Sequence, residues 1–281
     1  MWNGNGQACL TAMSSIEVHH RGHRYRADMS RASDLSIAVN FNSPSVQAFG
    51  APPAQSGPLA VDNFVGSVTR GGSCNCSTHT LTPHCNGTHT ECVGHITRDV
   101  MTINSIAPTS LIVAAVVSVT PTPVASTLSA SDLVITRELL QQTFINHAHC
   151  SAIVIRTLPN DHKLNANYDT HFPAYFSEEA LGWLASIGID HLLVDLPSVD
   201  RMIDNGQLLA HRAFWGMPRG STTLSQSTRP HATITELIYV PDSVQDGDYL
   251  LNLQVAPLMS DAAPSRPVLY PVINSGVTNI G

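Results

Sequence analysis

Residues 83–95 read Pro83-His-Cys-Asn-Gly-Thr-His-Thr-Glu-Cys-Val-Gly-His95 and gather metal-binding chemistry into one short span. The span reads as part of an alternating strand over residues 73–96. In an extended strand alternate side chains share a face, so Cys85, Gly87, His89, Glu91, Val93 and His95 are expected to point the same way. That face would carry a thiol, two imidazoles and a carboxylate, the S, N and O donors that Zn²⁺ or a similar divalent ion takes. Gly87 and Gly94 lack side-chain bulk and would let a metal or substrate approach the backbone. The spacing is not the paired Cys-x-x-Cys of a structural zinc finger. A solvated polar strand face is the plain alternative, and Cys85 with His89 or His95 could instead form a nucleophilic thiol–imidazole pair.

Outward from this span the pattern is mixed. Apolar, β-branched runs predict strands at 111–119, 152–157, 191–195, 232–240 and 249–255. Helices are expected from Ser131-Asp132 to about Ile145, after Ser177-Glu-Glu with Ser177 as N-cap, and from Asp204 into Arg212. The Asp246-Gly-Asp turn suits a hairpin joining the last two strands. Asn42 to Pro58 reads as loop or covering lid, and Gly220 to Thr228 as a Ser/Thr-rich loop. This order predicts an α/β single domain over 34–281, with a mixed sheet or barrel-like core and flanking helices. Residues 1–33 form an N-terminal extension with a hairpin turning at Arg21-Gly22.

Composition narrows the function. The chain has 281 residues, 43% hydrophobic and only 12% charged, with a formal net charge of −7, which argues against a nucleic-acid partner. The most apolar run, Leu111 to Val119, is too short for a bilayer helix and is closed by Pro121 and Pro123. The first residues lack the basic and apolar pattern of an export signal, so a cytoplasmic protein with reduced thiols is expected. Among the cysteines, Cys74, Cys76 and Cys92 read as small buried strand residues. His19, His20 and His23 read as a solvated hairpin, and His147, His149, His162 and His171 show no partner spacing.

The 85–95 segment resembles the His-x-Gly-Thr-His-x-Asp-x-Pro-x-His signature of the cyclase-type metal-dependent hydrolases, which include bacterial kynurenine formamidases and isatin hydrolases. Gly87, Thr88, His89 and His95 match; Cys85 stands for the first His, Glu91 for Asp and Val93 for Pro. Asp34-Leu-Ser36, the 187–200 segment, Ile234-Thr-Glu-Leu-Ile and Gly247-Asp-Tyr resemble further family segments. The resemblance implies a swivelling β/β/α fold and metal ligands at Cys85, His89, Glu91, His211 and Glu236. His231 is a fallback for His211, because the stretch to Glu236 is longer than in the family. It also implies His95 as acid/base; Asp195, Ser198 and Asp200 read either as groups that orient ligands or equally as helix-capping and turn residues. A thiolate at 85 would favour zinc over manganese, with one ion per chain expected ahead of two. The expected activity is hydrolysis of an amide, formamide or cyclic amide or ester of a small aromatic molecule, by a homo-oligomer (dimer or tetramer). The departures at 85, 91 and 93 support a rival: a metal-binding member of the fold without turnover.

Overall fold

The computed structural model describes residues 15–42, 45–106, 111–124, 132–144, 147 and 149–276. Strands β1 (Ser15–His20) and β2 (His23–Asp28) form the N-terminal hairpin around Arg21 and Gly22, both at positive φ. The elements that follow in chain order are helix α1 (Pro83–Asn86), then strands β3 (His89–Glu91) and β4 (Ile112–Val119). After them come α2 (Arg137–Thr143), β5 (Ala152–Thr157), α3 (Glu178–Ser186) and β6 (His191–Val194). The chain ends with α4 (Leu209–Trp215), β7 (Thr233–Glu236), β8 (Gly247–Val255) and β9 (Ala262–Gly276).

β4, β5, β6 and β7 pair in parallel, as buried apolar runs connected through helices tend to do. β8 pairs antiparallel with β4 and β9, and β3 pairs antiparallel with both β7 and β9. The order β9-β8-β4-β5-β6-β7-β3 thereby returns to β9 and closes a mixed barrel, and β2 extends the sheet beyond β9. This is the mixed α/β single domain with a barrel core that the sequence predicts.

Strand alternation sorts the core into two layers. Val113, Ala115, Val117 and Val119 of β4 join Ile153, Leu192 and Ile234 beneath Leu140, Leu181, Leu184, Phe214 and Trp215 of the helices. Ile112, Ala114 and Val116 turn the other way, into the barrel, against Val154, Leu193, Leu251 and Leu269. The helices therefore cover the outer face, and any group on that face of β3 or β7 lies between barrel and helix.

Three local expectations change. The segment at 131–145 begins as strand, Asp132–Ile135, and helix α2 starts only after Thr136, whose Oγ1 accepts from Leu139 N–H at 3.3 Å; Ser131 and Ile145 lie outside the described residues. β7 and β8 are not a hairpin, since each pairs with other strands. The Asp246 carboxylate instead accepts from Ser118 N–H, Ser118 Oγ and Arg156 Nη2 at 2.7–3.0 Å. Cys92 is buried, but Cys74 and Cys76 are exposed. No described helix is long and apolar enough to cross a membrane.

Candidate active site

The 83–96 segment is not one extended strand. Pro83 opens a helical turn, because its fixed φ suits the first helical position. Three strand residues follow, then a second tight turn over Val93–Ile96. Face-sharing holds within β3 alone, so His89 and Glu91 lie together. Register places them opposite Glu236 and Ile234 of β7. Ile234 packs under the helices, which puts His89, Glu91 and Glu236 on the outer face. Thr90 and Thr235 face inward and hydrogen-bond each other at 2.9 Å.

Thr88 fixes this seam. Its Oγ1 accepts from Ile37 N–H at 2.7 Å and donates to the carbonyl of Leu237, next to Glu236 and itself at φ 54°. The glycines serve packing and leave no room for a ligand. A Cβ on Gly94 would sit 2.0 Å from Met101 O, and one on Gly87 2.9 Å from Val39 Cγ2.

α4 brings in His211. The Asp200 carboxylate accepts from the N–H groups of Ala210 and His211 at 2.8 and 3.2 Å, capping the helix start, and from His211 Nδ1 at 2.6 Å. With Nδ1 so held, His211 Nε2 lies 3.0 Å from Glu91 Oε1 and 3.7 Å from Glu236 Oε1. His89 follows the same plan: Nδ1 is 3.1 Å from Gly87 O, and Nε2 is 3.4 Å from Glu236 Oε2. Val199 N–H donates to Glu236 Oε1 at 2.9 Å. All four side chains are buried.

Toward solvent, His84 Nδ1 lies 3.3 Å from Glu91 Oε2, and His84 Nε2 lies 2.9 Å from Asp261 Oδ2. His95 Nδ1 is 3.2 Å from the same Asp261 oxygen. Asp261 precedes β9, which pairs with β3 through Glu91 and Ala262. Donor atoms gather in two groups, His89–Glu91–Glu236 and His84–Glu91–His95, with Glu91 in both.

The charges are strongly coupled. Burial alone would lower the His84 pKa, but Asp261 and Glu91 raise it to about 10. Burial likewise opposes protonation of His211, and Glu91 and Asp200 carry it well above the ordinary value. The Glu91 carboxyl, which burial would raise, is held well below the usual range by His95 and His211. Hydrogen bonds from His84 and His95 depress Asp261. Imidazolium charge thus balances the carboxylates when no cation does.

Among the described residues, three buried side-chain atoms have no hydrogen-bond partner, and two of them, His89 Nε2 and Glu91 Oε2, lie in this cluster. A buried polar atom without a hydrogen bond is costly, and both residues belong to the His89–Glu91–Glu236 donor group. Imidazole nitrogens and carboxylate oxygens pointed at one spot, with the remaining ring nitrogens anchored behind, form a donor set that fits a divalent ion.

Of the residues expected from sequence, His89, Glu91, His211 and Glu236 meet, and His95 stands at the solvent side. His231 is exposed and pairs with Asp190 at 3.1 Å, away from the cluster. Cys85 is in no donor group of three among the described residues. It is buried one residue along the α1 turn from His84, and burial, Asp169 and Glu236 push its thiol up to about 11. Sequence reasoning missed His84 and Asp261. The hydrophobic position at 93 is buried in the helix-side core, where Val serves.

The sequence pattern of the family described as "Putative cyclase" matches residues 33–201. Solved structures share the fold. One titled "The Structure Of Potential Metal-Dependent Hydrolase With Cyclase Activity" superposes with a TM-score of 0.59 at 16% identity, covering 85% of this chain and 97% of that one. Isatin hydrolase A from Labrenzia aggregata gives 0.57 at 15% identity, covering 86% and 94%. Isatin hydrolase A from Ralstonia solanacearum gives 0.52 at 16%, covering 85% and 91%. A comparison with curated protein sequences finds no match.

Proposed function

Because this chain belongs to the Cyclase family, we propose that it is a metal-dependent hydrolase opening an amide, formamide or cyclic amide or ester bond of a small aromatic molecule. The observation that carries the reading is the pair of buried atoms without a hydrogen bond, His89 Nε2 toward Glu236 and Glu91 Oε2 toward His84, with His211 on the other Glu91 oxygen. The isatin hydrolases that share the fold act, by their name, on a cyclic aromatic amide, which supports the substrate class.

His89, Glu91, Glu236 and His211 would hold the ion, with His84 supplying the further imidazole at the solvent side where the sequence suggested Cys85. Zinc or manganese suits these nitrogen and oxygen donors. When bound, such an ion polarises a carbonyl and lowers the pKa of water toward about 7.

The chain's own residues do the rest. His95 is the acid/base: Asp261 engages its Nδ1, so Nε2 is the nitrogen left to take a proton from the attacking water and return it to the departing nitrogen or oxygen. Asp261 positions the ring and compensates its charge. Asp200 and Gly87 O hold the buried imidazoles in the orientation that keeps each Nε2 directed at the carboxylates. Substrate enters from the His84–His95–Asp261 side, where side chains are 23–35% exposed and the other ligands are closed off. The oligomeric state expected is a dimer or tetramer.

The test is turnover of N-formyl aromatic amines, isatin-like lactams and aromatic lactones by metal-replete protein, with and without chelator. Chelator-sensitive hydrolysis of one class is the expected result. Stoichiometric metal with no turnover of any class would establish the non-catalytic reading instead.

A further inference from the structure

Away from this site, His147, Cys150 and Asp248 bring one imidazole, one thiol and one carboxylate donor atom within 4.8 Å of one another. His147 and Cys150 lie on the connection from α2 to β5. The Cys150 N–H donates to His147 O at 3.0 Å, and the two side chains reach one spot. Asp248 comes from β8, and its Oδ1 lies 2.6 Å from His147 Nδ1. We propose that His147, Cys150 and Asp248 form a second, zinc-selective site that clamps the α2–β5 connection to β8, with solvent in the fourth position.

The donor chemistry selects the ion. A soft thiolate beside an imidazole and a carboxylate favours Zn²⁺ over Mn²⁺ or Mg²⁺. The thiol is 2% exposed, while the His147 and Asp248 side chains are 18% and 27% exposed. An ion would therefore enter past His147 and Asp248 and meet the sulfur at the bottom. Without an ion, burial and the neighbouring Asp248 push the Cys150 thiol up to about 12. A cation between sulfur and carboxylate turns that repulsion into shared ligation, and uptake releases the thiol proton to solvent.

The surroundings permit this charge. Arg21, the nearby cation, is engaged by backbone carbonyls, donating to Cys150 O at 3.4 Å and Gly188 O at 3.1 Å. His149 packs against His23, with ring centroids 3.6 Å apart, and Tyr25 is buried close by. The site is separate from the first. Cys150 precedes β5 and Glu236 ends β7 in the same parallel run, so the two clusters sit at opposite ends of these strands.

Cobalt titration of chelator-stripped full-length protein tests the proposal, because Co²⁺ bound to thiolate shows a near-ultraviolet charge-transfer band that nitrogen and oxygen ligands do not give. Wild type, Cys85→Ser and His89→Ala should all show the band, and Cys150→Ser should lose it. Asp248→Asn, which can keep a hydrogen bond to His147, should bind at least tenfold more weakly. Zinc analysis should find one equivalent fewer in Cys150→Ser than in wild type. A band that survives in Cys150→Ser or vanishes in Cys85→Ser, or folded wild-type protein without the band, would overturn the site. If Cys150→Ser fails to fold, Asp248→Asn with wild-type cobalt affinity does the same.

Discussion

Asp200→Asn isolates the tautomer argument with almost no change of shape. Oδ2 takes His211 Nδ1 at 2.6 Å and His211 N–H at 3.2 Å, while Oδ1 takes Ala210 N–H at 2.8 Å. An amide has one accepting oxygen. If its NH₂ faces His211, Nδ1 becomes the acceptor, Nε2 carries the hydrogen, and the lone pair toward Glu91 and Glu236 is gone. If NH₂ faces Ala210, a helix N–H loses its acceptor instead, at about 1 kcal/mol for a lost cap. Replacing a partner that orients a ligand lowers metal affinity about 10- to 100-fold, or about 1.4–2.7 kcal/mol. Competition titration against a chromogenic chelator reads the affinity, and thermal melts with and without metal separate it from the cap. Unchanged affinity together with an unchanged melting temperature would refute the assignment of both Asp200 and His211.

Other outcomes follow from the same geometry. His89→Ala should lose metal and activity together, whereas His95→Ala should keep its metal and lose about 10²- to 10⁴-fold in rate; loss of metal from the second variant would make His95 a ligand. Glu236→Gln should weaken metal binding strongly, and wild-type metal content at an equal melting temperature would count against the whole cluster. His84→Ala should weaken metal affinity and Cys85→Ser should not, as read by metal content after dialysis; the opposite order would restore the thiol as ligand. His84 and His211 have raised pKa values in the ion-free protein. At neutral pH they are therefore protonated and an entering ion must displace those protons. Apparent metal affinity should rise with pH, about tenfold per unit for each proton released; calorimetry in buffers of different ionisation heat counts those protons, and a count of zero contradicts the coupling. The same shift makes His84 a stabilising charge in ion-free protein below pH 6.5, lost as pH climbs through about 10, which alkaline melts of chelated protein would show.

The central parallel strands were legible because Ile112 to Val119 and Ala152 to Thr157 are largely apolar runs rich in β-branched residues, the pattern of strands buried on both faces. Glu236 was legible through the resemblance of Ile234-Thr-Glu-Leu-Ile to a family segment, and its place beside Ile234 on the helix-side face explains why the carboxylate needs a partner. The error at 83–95 has a local cause. Period-two counting assumes unbroken extension, while Pro83 starts a helical turn in which neighbouring side chains diverge by about 100°. His84 and Cys85 there exchange the places alternation assigns them. Asp261 could not be found, since Ser260-Asp261-Ala262 carries no pattern and reaches the cluster only through pairing of β3 with β9. The supposed β7–β8 hairpin failed because adjacency along the chain was taken for adjacency in the sheet. Likewise His147 and Cys150 acquire a third donor from a residue about a hundred positions away.

β3 is three residues long, yet it pairs with both β7 and the 262–264 end of β9. Until it docks, β7 and that end of β9 present an open edge, a template for pairing with other chains. The residues that would hold an ion sit astride this last seam: His89 and Glu91 on β3, Glu236 across it on β7. An ion there would rivet this short seam, so its removal should be felt first as association between chains. Chelated protein should grow in light scattering at temperatures where its circular dichroism is still that of the folded state.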